Sequence, residues 1–168
     1  MRYFLIGFMG SGKTYWARQW GEAFGITFYD LDEEIEKQEG KTIAAIFDEK
    51  GEQAFRSIEK DMLQSFMMKD QFILSSGGGT PCFHHNMERM NNNGVTIYLK
   101  STAILLAQRL QNEKETRPLI AAMDQNMLEE YIHEKLKQRE SFYCKAMYHL
   151  PASTMSLDNF QKILRRHG

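Results

Sequence analysis

Residues Gly7 to Thr14 read Gly-Phe-Met-Gly-Ser-Gly-Lys-Thr and fit the pattern G-x-x-x-x-G-K-[ST]. The apolar run Tyr3, Phe4, Leu5, Ile6 precedes them as a buried strand would. Trp16, Trp20 and Phe24 follow at four-residue intervals, the period of one helix face. Strand, glycine loop and helix form the context in which this pattern cradles phosphates. Glycines let successive backbone N–H groups turn inward around phosphate oxygens, and the helix N-terminus adds a favourable dipole. Gly10, Ser11, Gly12, Lys13, Thr14 and Tyr15 are the candidate nucleotide contacts. Lys13 reaches towards the β- and γ-phosphates, and the Thr14 hydroxyl is a ligand for Mg²⁺. A glycine-rich turn with an accidental lysine would not account for both flanks. The chain is expected to bind a nucleoside triphosphate.

Working outward, strand-like segments at 3–6, 26–29, 71–75, 95–99 and 146–150 alternate with helix-like ones. The helical segments are 13–24, 42–49, 52–68, 84–92, 102–111, 125–143 and 157–166. Strands separated by helices imply parallel pairing with right-handed crossovers, hence one three-layer α/β domain over 1–168. About forty residues of helical pattern lie between the second and third strands, more than a crossover needs. They leave room for a helical insertion beside the site. The hydrophilic stretch Gln111 to Thr116 is the best candidate for a mobile loop.

A formal net charge of -1 gives nucleic acid or a membrane surface no basic excess to act on. Two cysteines are too few for a disulfide scaffold and have no metal-ligand spacing around them. The N-terminus enters a strand at once and no apolar run is long enough to span a bilayer, so the cytoplasm is the expected location. The five histidines form no nucleophile or metal constellation and read as structural or exposed.

Several residues beyond the loop have the chemistry of phosphoryl transfer. Asp30-Leu31-Asp32 ends the second strand, and residues two apart on an extended chain point the same way. Both carboxylates would then face one site, Asp30 towards the water shell of a metal and Asp32 towards an acceptor hydroxyl. An acidic helix start is the competing account. Arg56 and Glu59, three apart, share a helix face; Glu59 either holds the arginine fork for an anionic substrate or forms an ordinary surface pair. Phe47 and Phe55 read as core or as pocket walls. Gly77-Gly78-Gly79 follows a strand directly, which suits close approach of backbone N–H groups to an anion; a loose connecting loop is the competing account. Ser75, or less readily Ser76, would touch the metal's water shell. Arg117, before Pro118, projects from the polar loop either as a lid arginine over the triphosphate or as solvated surface. Arg109 flanks the nucleotide base or lies on the surface. Arg139, in a charged helix, has no local distinction.

Taken in order, GFMGSGKT at 7–14, D-x-D at 30–32, F-R-x-x-E at 55–59, GGG at 77–79, R-P-L at 117–119 and R-x-x-x-Y at 139–143 resemble the shikimate kinase family over almost the full chain. The resemblance implies a P-loop kinase fold with a five-stranded parallel sheet, a substrate-binding helical region at about 31–62 and a lid at about 111–123. It implies transfer of the ATP γ-phosphoryl, with Mg²⁺, to the 3-hydroxyl of shikimate, in the pathway to aromatic amino acids. Asp32 is then the base, and Lys13 and Arg117 act on the transferring group. Arg56 and Arg139, with backbone around Gly78 and Gly79, grip the carboxylate. The adenine segment falls loosely around Leu150 to Thr154. ATP and shikimate are the implied partners of a monomer. The rivals are another small P-loop kinase, acting on gluconate or a nucleoside monophosphate, and a nucleotide-dependent regulatory switch.

Overall fold

The computed structural model describes all residues except Glu115, Thr116 and Pro118. Among the described residues, five strands form one parallel sheet in the order β2-β3-β1-β4-β5. They are β1 (Arg2–Ile6), β2 (Phe28–Asp30), β3 (Phe72–Ser75), β4 (Val95–Lys100) and β5 (Tyr148–Pro151). The helices are α1 (Lys13–Phe24), α2 (Leu31–Glu39), α3 (Ile43–Phe66), α4 (Asn86–Asn93), α5 (Ala103–Gln111), α6 (Gln125–Tyr143) and α7 (Leu157–His167), with short 3₁₀ turns at Thr80–Cys82 and Ala152–Thr154.

A parallel sheet needs both faces covered, and the alternation within β1 shows how this chain does it. Phe4 and Ile6 point to one face, where they meet Leu31 and Ile35 of α2, Leu63 and Phe66 of α3 and Met87 and Met90 of α4. Tyr3 and Leu5 point to the other, against Ala17 and Trp20 of α1 and Phe160 and Ile163 of α7. There the Trp20 ring stacks on Phe160 with centroids 4.6 Å apart. A third cluster joins Phe8, Leu106 and Leu110 of α5, Ile120, and Leu128 and Ile132 of α6. Ile120, within the segment expected to act as a lid, is buried in this cluster. No described helix is long and apolar enough to cross a membrane.

Three expectations need correction. The second strand is Phe28–Asp30 rather than 26–29, because the Ile26 N–H is spent on the Gly21 carbonyl, closing the end of α1. The segments 42–49 and 52–68 are one element, Ile43–Phe66, interrupted at Gly51, whose φ of 81° and ψ of 171° are not helical. Asp30 and Asp32 do not lie on one extended segment. Asp30 ends β2 and caps α2, so Asp32 stands in the first helical turn.

All strands point one way, so their C-terminal ends share a rim. β1 lies between β3 and β4. The loop after β1 therefore opens at the place where neighbouring connections diverge, the usual ligand crevice of such sheets. The opposite rim holds both ends of the chain. The Met1 amino group donates to the Asp70 carbonyl just ahead of β3, and the Tyr148 hydroxyl, at the start of β5, is 2.8 Å from His167 Nε2.

Candidate functional site

A cleft of about 820 Å³ opens at the C-terminal rim. Its floor is the loop between β1 and α1. Gly10 (φ 79°) and Gly12 (φ 93°) are left-handed there, a conformation open to glycine with little cost. Lys13 is buried and donates from Nζ to the Gly7 and Phe8 carbonyls, each at 2.9 Å. Burial pulls its pKa down to about 8; Asp30 and Asp32 oppose that shift, while Arg117 and Arg139 reinforce it. Gly10, Gly12, Thr14 and the exposed Tyr15 line the cleft. Ser11 is wholly buried and its Oγ has no partner among the described residues, so its side chain lies beneath the loop rather than on the cleft wall.

Thr14 links three elements. Its hydroxyl donates to Asp30 Oδ2 at 2.5 Å and lies 3.0 Å from Ser75 Oγ. Asp30 and Ser75 are register partners across β2 and β3, which brings both to the first turn of α1. The other Asp30 oxygen accepts the Asp32 and Glu33 N–H groups at 3.0 and 3.3 Å. Asp30 is thus both a site carboxylate and the start of an acidic helix. Ser76 turns away, donating to the Leu5 carbonyl at 3.0 Å.

Beyond the strand end, the three glycines run past three side chains from distant parts of the sequence. A Cβ on Gly77 would lie 3.2 Å from Asp32 Oδ1, one on Gly78 3.2 Å from Arg139 Nη1, and one on Gly79 2.5 Å from Arg56 Nη2. Three consecutive backbone positions therefore touch Asp32, Arg139 and Arg56. Asp32, Gly77 and Gly78 also line the cleft. Burial, then repulsion from Asp30 and Glu59, pushes the Asp32 pKa up to about 7; Lys13 and Arg56 counteract it.

Arg56 is held on every side. It donates from Nη1 to Glu59 Oε1 at 2.9 Å and from Nη2 to Glu52 Oε1 at 3.4 Å. Its guanidinium carbon stands 4.2 Å from the Phe83 ring centroid, 5.1 Å from Phe55 and 6.0 Å from Phe47. Phe47 and Phe55, themselves 4.6 Å apart, brace the arginine from the core side. Among the described residues the buried Arg56 Nε–H has no acceptor. Arg139 lies 5.4 Å from the Phe8 ring, and the Tyr143 hydroxyl one helical turn on donates to the Gly78 carbonyl at 2.5 Å. These braces make Gly79→Ala a sharp test. Gly79 has an ordinary φ of -90°, so alanine costs nothing in backbone strain, yet its methyl collides with an immobilised guanidinium. The variant is expected to lose about 1–3 kcal/mol of stability, read as a lower urea midpoint.

On the far side of the cleft, Arg109 donates to the Gly10 carbonyl at 3.2 Å and the Ala152 carbonyl at 3.4 Å. It bridges the phosphate loop to the segment expected to meet adenine, of which Ala152 and Ser153 line the cleft together with Met155. Arg117 is also on the wall, donating from Nε and Nη2 to Glu113 Oε2 at 3.2 and 3.0 Å. Its neighbour Pro118, and Glu115 and Thr116 within the expected lid, lie outside the described residues. Sequence reasoning missed Trp16, Met9 and Asn112 on the cleft wall and Thr80 and Phe83 behind it, and gave no role to Tyr143 of the R-x-x-x-Y element. Trp16 had a signal, since it sits one turn after Lys13, but its helical period was read only as packing.

The arrangement joins a triphosphate cradle to a raised-pKa carboxylate and two arginines suited to an organic acid. Comparison with known proteins gives the same picture. The family model described as shikimate kinase matches residues 9–167. The shikimate kinase of Parabacteroides distasonis is 42% identical over 154 residues, covering 92% of this chain and 89% of that one. The crystal structure of shikimate kinase from Bacteroides thetaiotaomicron superimposes with a TM-score of 0.94 at 34% identity, covering 98% of both chains. That of Acinetobacter baumannii in complex with shikimate gives 0.86 at 32%, covering 98% of this chain and 91% of that one. From the phosphate loop to the last helix, this chain belongs to the shikimate kinase family.

Proposed function

We propose that this kinase transfers the γ-phosphoryl of ATP to the 3-hydroxyl of shikimate, giving shikimate 3-phosphate and ADP. The observation that carries the proposal is the meeting of Asp32, Arg139 and Arg56 on three successive glycines beside the triphosphate loop. Arg56 and Arg139 clamp the acid's carboxylate, with the N–H groups of Gly78 and Gly79 close by. A carboxylate between two guanidinium groups receives charge-assisted bonds worth roughly 1.5–3 kcal/mol each. This grip turns the acceptor hydroxyl towards Asp32, which takes its proton as the oxygen attacks the γ-phosphorus. The β–γ bridging oxygen leaves as ADP. Lys13 and Arg117 stabilise the charge on the transferring group. The 111–123 segment closes over the cleft and excludes water that would otherwise consume the phosphoryl group.

Mg²⁺ suits the donor set. The Thr14 hydroxyl, the Asp30 carboxylate and the Ser75 hydroxyl are hard oxygen donors gathered within one hydrogen-bonded cluster. Thr14 would hold the ion directly, with Asp30 and Ser75 acting through its waters. When bound, it neutralises charge on the phosphate oxygens. We place the enzyme in the cytoplasm as a monomer, acting on small molecules alone.

The direct test is ADP release, coupled to a spectrophotometric readout, with shikimate, gluconate, AMP and CMP offered as acceptors. Turnover is expected with shikimate at least a hundredfold above the others. Silence with shikimate, or hydrolysis indifferent to any acceptor, would sink the reading; the latter result would favour a nucleotide switch.

A further inference from the structure

We propose that Thr80 is a positioning residue: its hydroxyl, bonded to Glu59, fixes the Arg56 fork that grips the acceptor's carboxylate. The inference rests on the acceptor reading above and adds a residue to it. Glu59 is fully buried, and its two oxygens have separate duties. Oε1 accepts from Arg56 Nη1 at 2.9 Å, and Oε2 accepts from the Thr80 hydroxyl at 2.6 Å. A carboxylate with one oxygen tied at each end cannot rotate, so the direction of the Arg56 fork depends on where Thr80 stands.

Thr80 is itself pinned. It is fully buried, its N–H donates to the Gly77 carbonyl at 3.2 Å, and its carbonyl accepts from Asn86 Nδ2 at 3.1 Å. Asn86, also fully buried, accepts from Arg89 at 2.8 Å through its own side-chain oxygen. A line of polar groups thus runs from α4 through the turn after the glycines to α3 and Arg56. Gly77 makes room for it, because a Cβ there would come within 2.9 Å of the Thr80 hydroxyl and 3.1 Å of Glu59 Oε2. Without the hydroxyl, Glu59 Oε2 would be a buried, unsatisfied acceptor, and the cheapest remedy is rotation towards another N–H of Arg56. That rotation occupies the donors the substrate needs.

Thr80→Val keeps the shape and deletes the donor, whereas Thr80→Ser keeps the donor. Valine is expected to raise the shikimate KM roughly tenfold, leaving the ATP KM within about twofold and kcat little changed; serine restores the wild-type value. Should valine prevent folding, as circular dichroism would reveal, Thr80→Ala removes the same hydroxyl without the added methyl. A second readout needs no turnover. The Arg56 Nε–H resonance, identified by its loss in Arg56→Lys, is expected to exchange with solvent slowly in the parent protein and in Thr80→Ser, and at least tenfold faster in Thr80→Val. Equal rises in both KM values, no rescue by serine, or unchanged Nε–H exchange would overturn the proposal. If the parent enzyme ignores shikimate, the functional reading fails, and the exchange measurement still decides whether Thr80 governs Arg56.

Discussion

Asp32→Asn should lower kcat by about 10²- to 10⁴-fold while leaving the ATP KM within a few-fold of the parent value. The substitution preserves shape and removes the carboxylate proposed to accept the acceptor's proton. The pH dependence sharpens the expectation. As the proposed base, Asp32 would work only when ionised, so kcat/KM should climb as pH rises through about 7. Lys13 serves only as the ammonium ion, so the same profile should fall above about 8. With ATP saturating, the triphosphate stabilises the ammonium ion and should carry the alkaline limb upward. Asp32→Asn should erase the acid limb alone; an unaltered acid limb in the residual activity would assign the ionisation elsewhere. Stability should move the other way. The folded-state pKa of Asp32 is raised well above its ordinary 3.8. Its contribution is therefore complete below about pH 4 and is lost as pH rises through 7. The asparagine variant should melt higher than the parent at pH 8, with the gap closing in acid, the trade of stability for activity common at such sites.

Lys13→Met should be nearly as damaging, with kcat lowered about 10²- to 10³-fold and the ATP KM raised as well. Methionine keeps the length of the stem but loses the positive charge and both bonds to the Gly7 and Phe8 carbonyls. Because the variant should weaken ADP as well as ATP binding, direct titration with each separates ground-state binding from transition-state stabilisation. A Lys13→Met enzyme that keeps ADP affinity and loses only kcat would confine the lysine to the transition state; one with parental kcat would remove it from the mechanism.

Which of these groups the sequence disclosed depends on how local their signals are. The phosphate loop declares itself within eight residues, and the strand and helix on its flanks follow from apolar period alone. The order β2-β3-β1-β4-β5 is another matter, since alternation of strands and helices implies parallel pairing but not which strands are neighbours, and the P-loop kinase fold came with the family resemblance. Asp30 and Asp32 were placed in the cleft for a partly wrong reason. The chain turns into a helix at Leu31, and Asp32 still reaches the cleft because the first turn of α2 sits over the end of β2. Arg139 shares α6 with Lys135 and Lys137, and no local pattern separates it from them; only tertiary packing brings it to Gly78. Thr80 and Phe83 follow the glycines in a turn with no periodicity, so their bond to Glu59 and stacking on Arg56 could not be read from spacing. The Arg56–Glu59 pair, by contrast, was visible as a three-residue step on one helix face, though its burial was not.

The rim opposite the cleft offers a practical dividend. With Met1 tethered beside Asp70 and His167 against Tyr148, both chain ends emerge where strands begin, a full strand length from the chemistry. An affinity tag, a fluorescent fusion or a surface linker at either end should leave nucleotide entry and product escape unhindered. Immobilised on a sensor chip through its terminal residues, the enzyme would present its mouth to the flowing solution.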